Sequence, residues 1–301
     1  MVSPSHSPLG FFGILKESFK TTSRNLEQLF YPMLLLLFLP YFQLDYAQVY
    51  MLARVAKDLK LAKHSNMFHN FTYNYIDETT DVRDFVFVQL VIMAISSIVT
   101  LIVLIATVSS SSEAYTAKPL GLKYMFLKLK ETWKRSLVTS FYMILLTLGI
   151  VFLYLISIVI TSIFAENKWR VMFCGAITIL ILVCYFYVVA IWIVSMVVSV
   201  LEEGFEGIKA IGRAGELMKG KRLHASLMMV LFAVAYSLVH LMAYVLESYN
   251  LSMFITISFR NGLFCWLKLF MFVVYTVFYH EWKTSYEEKE GKDFYLPIAA
   301  C

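Results

Sequence analysis

VVSVLEEGFEGIKAIGRAGELMKGKR, residues 197–222, leaves one long apolar run and leads into another that begins at Leu227. Drawn as a helix, it puts Gly207, Ile208, Ile211, Ala214, Gly215 and Met218 on one face and Glu206, Lys209, Arg213 and Glu216 on the other. A helix of that kind lies on a membrane surface or against a bundle; it does not cross lipid. The surface helix is read over 203–222, between spans at about 171–201 and 227–246.

Outward from this segment the chain is dominated by long apolar runs. Of its 301 residues 59% are apolar and only 16% charged, where a soluble domain carries about a quarter charged. The mean hydropathy is +0.69. The expected fold is all-α: a polytopic membrane helical bundle of six transmembrane helices plus amphipathic surface helices, forming a single integral membrane domain. Further spans are read at about 29–50, 85–108, 137–164 and 262–279. Residues 8–28 place Phe11, Phe12, Leu15, Phe19 and Leu26 at helical spacing beside Lys16, Lys20 and Arg24, which predicts another interfacial helix. The first span is the least regular, because Pro32 and Pro40 interrupt it and Gln43, Asp45 and Gln48 occupy its second half, so a re-entrant segment is its alternative. Spans three and four are joined by a short turn at Glu166, Asn167 and Lys168, which predicts an antiparallel hairpin. Surface helices followed by hairpins, starting near Pro8, Pro119 and Gly204, form a threefold pattern, and Pro-Leu-Gly opens the first two.

Charge orients the bundle. Lys16, Lys20 and Arg24, the basic stretch from Lys118 to Arg135, the cations from Lys209 to Arg222, and Lys283, Lys289 and Lys292 all fall on one side if the chain crosses six times. The other side holds Arg54, Lys57, Lys60, Lys63, Arg83, Lys168, Arg170 and Arg260. The richer side faces the cytosol, so both termini, with a mixed-charge tail over 280–301, are expected there. Glycosylation acceptor patterns at Asn70 and Asn250 both fall on the opposite, lumenal side. The endomembrane system (ER or Golgi) or the plasma membrane is the expected location.

Few residues promise chemistry. Gly215 to Lys221 matches the first positions of a phosphate-binding loop, but Arg222 stands where Ser or Thr must meet magnesium, and no strand precedes it. Lys209, Arg213, Lys219, Lys221 and Arg222 are read instead as contacts to anionic lipid headgroups. Glu202, Glu203 and Glu206 are read as acids in the first turn of the segment's helix, facing its N-terminus. Lys268 in the sixth span and His240 and Glu247 in the fifth are the candidate intramembrane polar cluster, since ionisable residues in spans are functional candidates by default. The four cysteines have no disulfide or zinc spacing. No catalytic, cofactor-binding or metal-ligating set appears, and the small net charge of +5 in clustered connectors points to membrane orientation, not nucleic acid. The bilayer itself, anionic lipids and other membrane proteins are the expected partners.

Residues 197–222 resemble an uncharacterised family of six-span plant membrane proteins and, more distantly, the membrane domain that accompanies some bacterial glycerophosphodiester phosphodiesterases. The likeness rests on Glu202 or Glu203 at the span end, Gly204 or Gly207, Ala210, and Leu217, Gly220 and Arg222, with Gly10 to Ser18 similar in style to the plant family's opening. It implies a membrane module without that catalytic domain. Two functional expectations follow: a non-catalytic protein that organises lipids or partners through its basic cytosolic face, or a carrier of a small or lipidic solute lined by Lys268, His240 and Glu247.

Overall fold

The computed structural model describes residues 10–25, 31–64, 71–116, 122–163, 168–219, 221–248 and 252–295. These form α1 (Phe11–Asn25), α2 (Tyr31–His64), α3 (Phe71–Tyr115), α4 (Leu122–Ile163), α5 (Lys168–Leu201), α6 (Ile208–Leu217), α7 (Arg222–Ser248) and α8 (Met253–Tyr295), with no strand among the described residues. The all-α class follows from the sequence pattern: long apolar runs without water can satisfy their backbone only within helices.

Five helices are long and apolar enough to cross a membrane, in α3, α4, α5, α7 and α8. A multi-pass membrane protein is therefore established at that level. The first expected span is not among them. It forms α2, continuous through Pro40, but its polar second half dilutes the apolar run.

The chain divides into two compact units. The first comprises the described residues within 1–30, 104–236 and 267–301. Its core is built from Ile105 and Val108 of α3, Val194, Val197 and Val198 of α5, Met228 of α7, and Leu269, Val274, Tyr275 and Phe278 of α8, all buried. Small hydroxyl residues line the same core: Thr139, Ser195 and Thr276 donate to the carbonyls of Arg135, Ile191 and Phe272, one turn back. Such self-satisfied hydroxyls let helix backbones approach closely in an apolar setting. α4 and α5 form the predicted hairpin, and α6 packs chiefly on α5 and touches α4. The far half of the hairpin turns Leu148, Phe152, Ile179 and Leu180 outward, each 64–65% exposed. A belt of large apolar side chains of that extent is a lipid-facing surface.

The second unit comprises the described residues within 31–103 and 237–266. Here α2 carries a ladder of stacked rings, Phe38, Phe42 and Tyr46, and Phe42 meets Phe254 of α8 edge-on at 5.3 Å. Tyr41 of α2 and Thr100 of α3 are hydrogen-bonded at 3.3 Å, and Arg260 of α8 donates to Asp45 of α2.

The segment helix is shorter than expected, ten residues where 203–222 was read. Of the predicted apolar face Gly207, Ala214 and Met218 are buried and Ile211 and Gly215 half-buried, joined by Ala210 and Leu217, whereas Ile208 is 66% exposed. α6 lies close on α5, where small side chains pack best, so Ala210 enters the buried face and the larger Ile208, at the helix start, stays out.

Candidate functional site

α5 ends at Leu201, yet the Glu202 N–H still donates to the Val198 carbonyl at 2.8 Å, which carries the side chain one step past the helix. Gly204 then takes φ +83, the left-handed turn with which glycine stops a helix. Gly207, at φ +55, closes the connection and its N–H donates to the Thr139 hydroxyl of α4 at 2.9 Å. Glu202 is therefore not in the first turn of the following helix, which starts only at Ile208. The sequence reading is corrected on that point: this acid does not face a helix N-terminus.

Its carboxylate is instead the hub of the first unit. Tyr279 of α8 donates to Oε1 at 2.6 Å, and the Lys283 ammonium lies 3.2 Å from the same oxygen. The Arg213 Nε of α6 lies 3.5 Å from Oε2, and its Nη1 reaches Glu216 at 3.4 Å. Arg135 of α4 donates to the Glu202 carbonyl at 3.2 Å. Glu202, at the end of α5, thus gathers α6 and α8 through its buried carboxylate and α4 through its main-chain carbonyl. Burial pushes the carboxyl up, but the hydrogen bonds from Tyr279 and Lys283 and the charges of Lys283 and Arg213 outweigh it and hold the group below its ordinary value.

The sign of the pH effect follows. A carboxyl depressed below its unfolded value of 4.5 stabilises the fold fully above that pH and loses the contribution as pH falls below it. Detergent-solubilised protein should accordingly lose stability on acidification below about pH 4.5, and Glu202→Gln should flatten that part of the stability profile; an unchanged acid limb would remove Glu202 as its source.

Around the hub the cations divide. Lys209, Lys219 and Arg222 are exposed; Arg213 and Lys221 are half-buried. Lys221 lies over the Trp282 ring at 4.8 Å, a cation–π contact. The Arg222 guanidinium lies 5.9 Å from the centre of the Tyr187 ring of α5. Exposed apolar side chains flank the exposed cations: Ile208 beside Lys209, and Leu223, 78% exposed, beside Arg222. α1, in the same unit, shows the same combination. It buries Ile14, Ser18, Thr21 and Thr22 and exposes Phe12, Phe19, Lys16 and Lys20.

A second polar group joins α3 and α8 in this unit. Ser112 and His280 are hydrogen-bonded at 2.8 Å, the His280 ring stacks on Tyr115 at 5.2 Å, and Tyr115 donates to Glu281 at 2.6 Å. Ser112 sits within a continuous helix and its own carbonyl accepts from the Thr116 N–H. The arrangement fastens two helices.

The other candidates from the sequence are placed as follows. His240 and Glu247 are exposed residues of α7 in the second unit, where the His240 ring meets Phe264 edge-on at 4.6 Å. Lys268, half-buried on α8, belongs to the first unit. Asn70 and Asn250 lie outside the described residues. Among the described residues no group of His, Cys, Asp or Glu is placed to hold a metal ion. Sequence reasoning missed Tyr279 and Lys283 as partners of Glu202, 77 residues before Tyr279. Their spacing, four apart on one helix face, was the available signal.

A family model described as "Domain of unknown function (DUF8558)" matches residues 6–294. No curated protein and no solved structure matches the chain. The chain belongs to that family.

Proposed function

We propose that this member of the DUF8558 family is a non-catalytic membrane protein that gathers anionic lipids at its cytosolic end, in the endomembrane system or the plasma membrane. The observation that carries the reading is the exposure of Lys209, Lys219 and Arg222 beside exposed Ile208 and Leu223. Cations next to apolar side chains suit the boundary where acyl chains give way to phosphate. α1 supports the same reading, since its exposed side pairs Phe12 and Phe19 with Lys16 and Lys20 while its hydroxyl face is buried, the inverse of a helix in water. Of the five cations expected at lipid, the half-buried Arg213 and Lys221 are engaged within the fold and act here as positioning residues for α6 and α7, whereas Arg222, though over the Tyr187 ring at 5.9 Å, stays exposed. The carrier reading through Lys268, His240 and Glu247 has no second observation in its favour.

The test uses the full chain in nanodiscs of phosphatidylcholine doped with phosphatidylserine, with the retained lipid quantified after exchange against neutral nanodiscs. Each surface cation contributes about 1 kcal/mol toward anionic lipid, so Lys209→Ala/Lys219→Ala/Arg222→Ala should remove about 3 kcal/mol of preference, roughly a hundredfold in enrichment at low salt. Equal retention by the native chain and the triple variant would defeat the proposal. Arg213→Ala, by contrast, should lower thermal stability while leaving lipid retention largely in place.

A further inference from the structure

The second unit contains the polar contact that the composition of α2 demands. α2 keeps Met33 and Leu37 buried, holds Tyr41 against Thr100 of α3, and pairs Asp45 with Arg260 of α8. Its exposed residues are Tyr31, Pro32, Leu35, Leu36 and Leu39 in the first half and Gln43 and Tyr46 in the second. Leucines turned outward at mid-helix, polar side chains outward only near one end, and the one charged side chain of this stretch turned toward a neighbouring helix suit a helix set in lipid.

We infer that α2 is a sixth membrane crossing, and that the Asp45–Arg260 ion pair is the contact that seats its polar half in the bilayer. Depth supports the assignment. Arg260 lies about 10 Å of helix rise beyond Met253, the first residue of α8 after the short α7–α8 connection. Asp45 lies about 21 Å beyond Tyr31, the first residue of α2. If α2 enters a hydrocarbon core about 30 Å thick from the side opposite the α7–α8 connection, Asp45 arrives about 9 Å short of the far surface, level with Arg260. Entry from the same side would put it at about 21 Å against about 10 Å, a mismatch the two side chains do not span without strong tilt. Each charge alone is strongly disfavoured at that depth; paired, they carry no net charge into the lipid.

The partners are 215 residues apart in sequence. α2 is therefore made early and seated late, when α8 has entered the membrane. The crossing puts the residues that follow α2 on the side of the α7–α8 connection and both termini together on the opposite side.

A single thiol reports this. In a chain with Cys174, Cys184, Cys265 and Cys301 replaced by serine, Ser65→Cys is exposed to a membrane-impermeant maleimide in sealed microsomes whose cytosolic face is outward. The native charges should leave the thiol unlabelled until the membrane is permeabilised. Asp45→Arg and Arg260→Asp should each make it accessible in a large fraction of chains, and the double reversal Asp45→Arg/Arg260→Asp should restore protection. Labelling of the native-charge chain in intact vesicles would overturn the crossing. Single reversals as well protected as the native chain, or a double reversal no better than either single, would overturn the role of the pair.

Discussion

Replacing Glu202 with alanine is expected to destabilise the protein by about 3–5 kcal/mol, the cost of breaking a buried ion pair from one side. The carboxylate sits between Lys283 and Arg213 and accepts from Tyr279, so its loss leaves two cations facing each other across a buried space. Part of that repulsion is screened, since Lys283 is 36% and Arg213 21% exposed, which places the loss at the lower end of the range. Glu202→Gln keeps shape and acceptor but not charge, and should fall between. Tyr279→Phe removes one hydrogen bond to a charged group and should cost about 1.5–3 kcal/mol. Thermal denaturation in detergent, followed by loss of the monodisperse peak on size exclusion, ranks the three. Alanine at 202 within about 0.5 kcal/mol of the native chain, the range of ordinary surface changes, would remove the hub from the account.

The second large effect is expected at Gly207. Its backbone, φ 55 and ψ −125, lies where a residue with a Cβ is strained, at a cost of about 1–3 kcal/mol. A Cβ there would also come within 3.1 Å of the Tyr142 ring and 3.4 Å of Val138, an overpacking that costs about 1–3 kcal/mol more. Gly207→Ala should therefore cost about 2–6 kcal/mol in all. Gly204, at φ +83, has open space around the added carbon, so Gly204→Ala should cost only the backbone part, about 1–2 kcal/mol. Combining Gly207→Ala with Tyr142→Ala separates the two contributions: the packing part should be recovered and the backbone part retained. Equal destabilisation by the two glycine substitutions would show that the contact with α4 does not matter.

Lipid makes some of this architecture readable and hides the rest. α3, α4, α5, α7 and α8 follow from the sequence because a bilayer demands long uninterrupted apolar runs, and these runs have no other use. The α4–α5 hairpin follows from the brevity of the turn at Glu166 to Lys168. The face of α6 follows at Gly207, Ala214 and Met218 but not at Ile208. A helical wheel ranks Ile208 as a core residue, but the close approach of α5 favours small side chains, and Ala210 is buried in its stead. Glu202 was misread for a related reason. Three nearby acids before a helix suggest favourable contact with its N-terminus, and only the positive-φ break at Gly204 shows that Glu202 still belongs to the end of α5. Tyr279 and Lys283 share one helix face, a signal of a polar site that does not name its partner, and Arg260 lacks even that; the partners lie 77, 81 and 215 residues away, and such pairings are set by how whole helices pack. Asp45 was visible as an anomaly in an apolar run, and an anomaly of that kind signals a partner without naming it.

Everything rests on lipid being the medium that covers the exposed leucines, phenylalanines and isoleucines of α3, α4, α5 and α7. Washing membranes that contain the full chain with alkaline carbonate tests this most directly. The account predicts that the protein stays with the sedimented membrane and is released only by detergent. Recovery in the supernatant as a monodisperse species, without detergent, would contradict it.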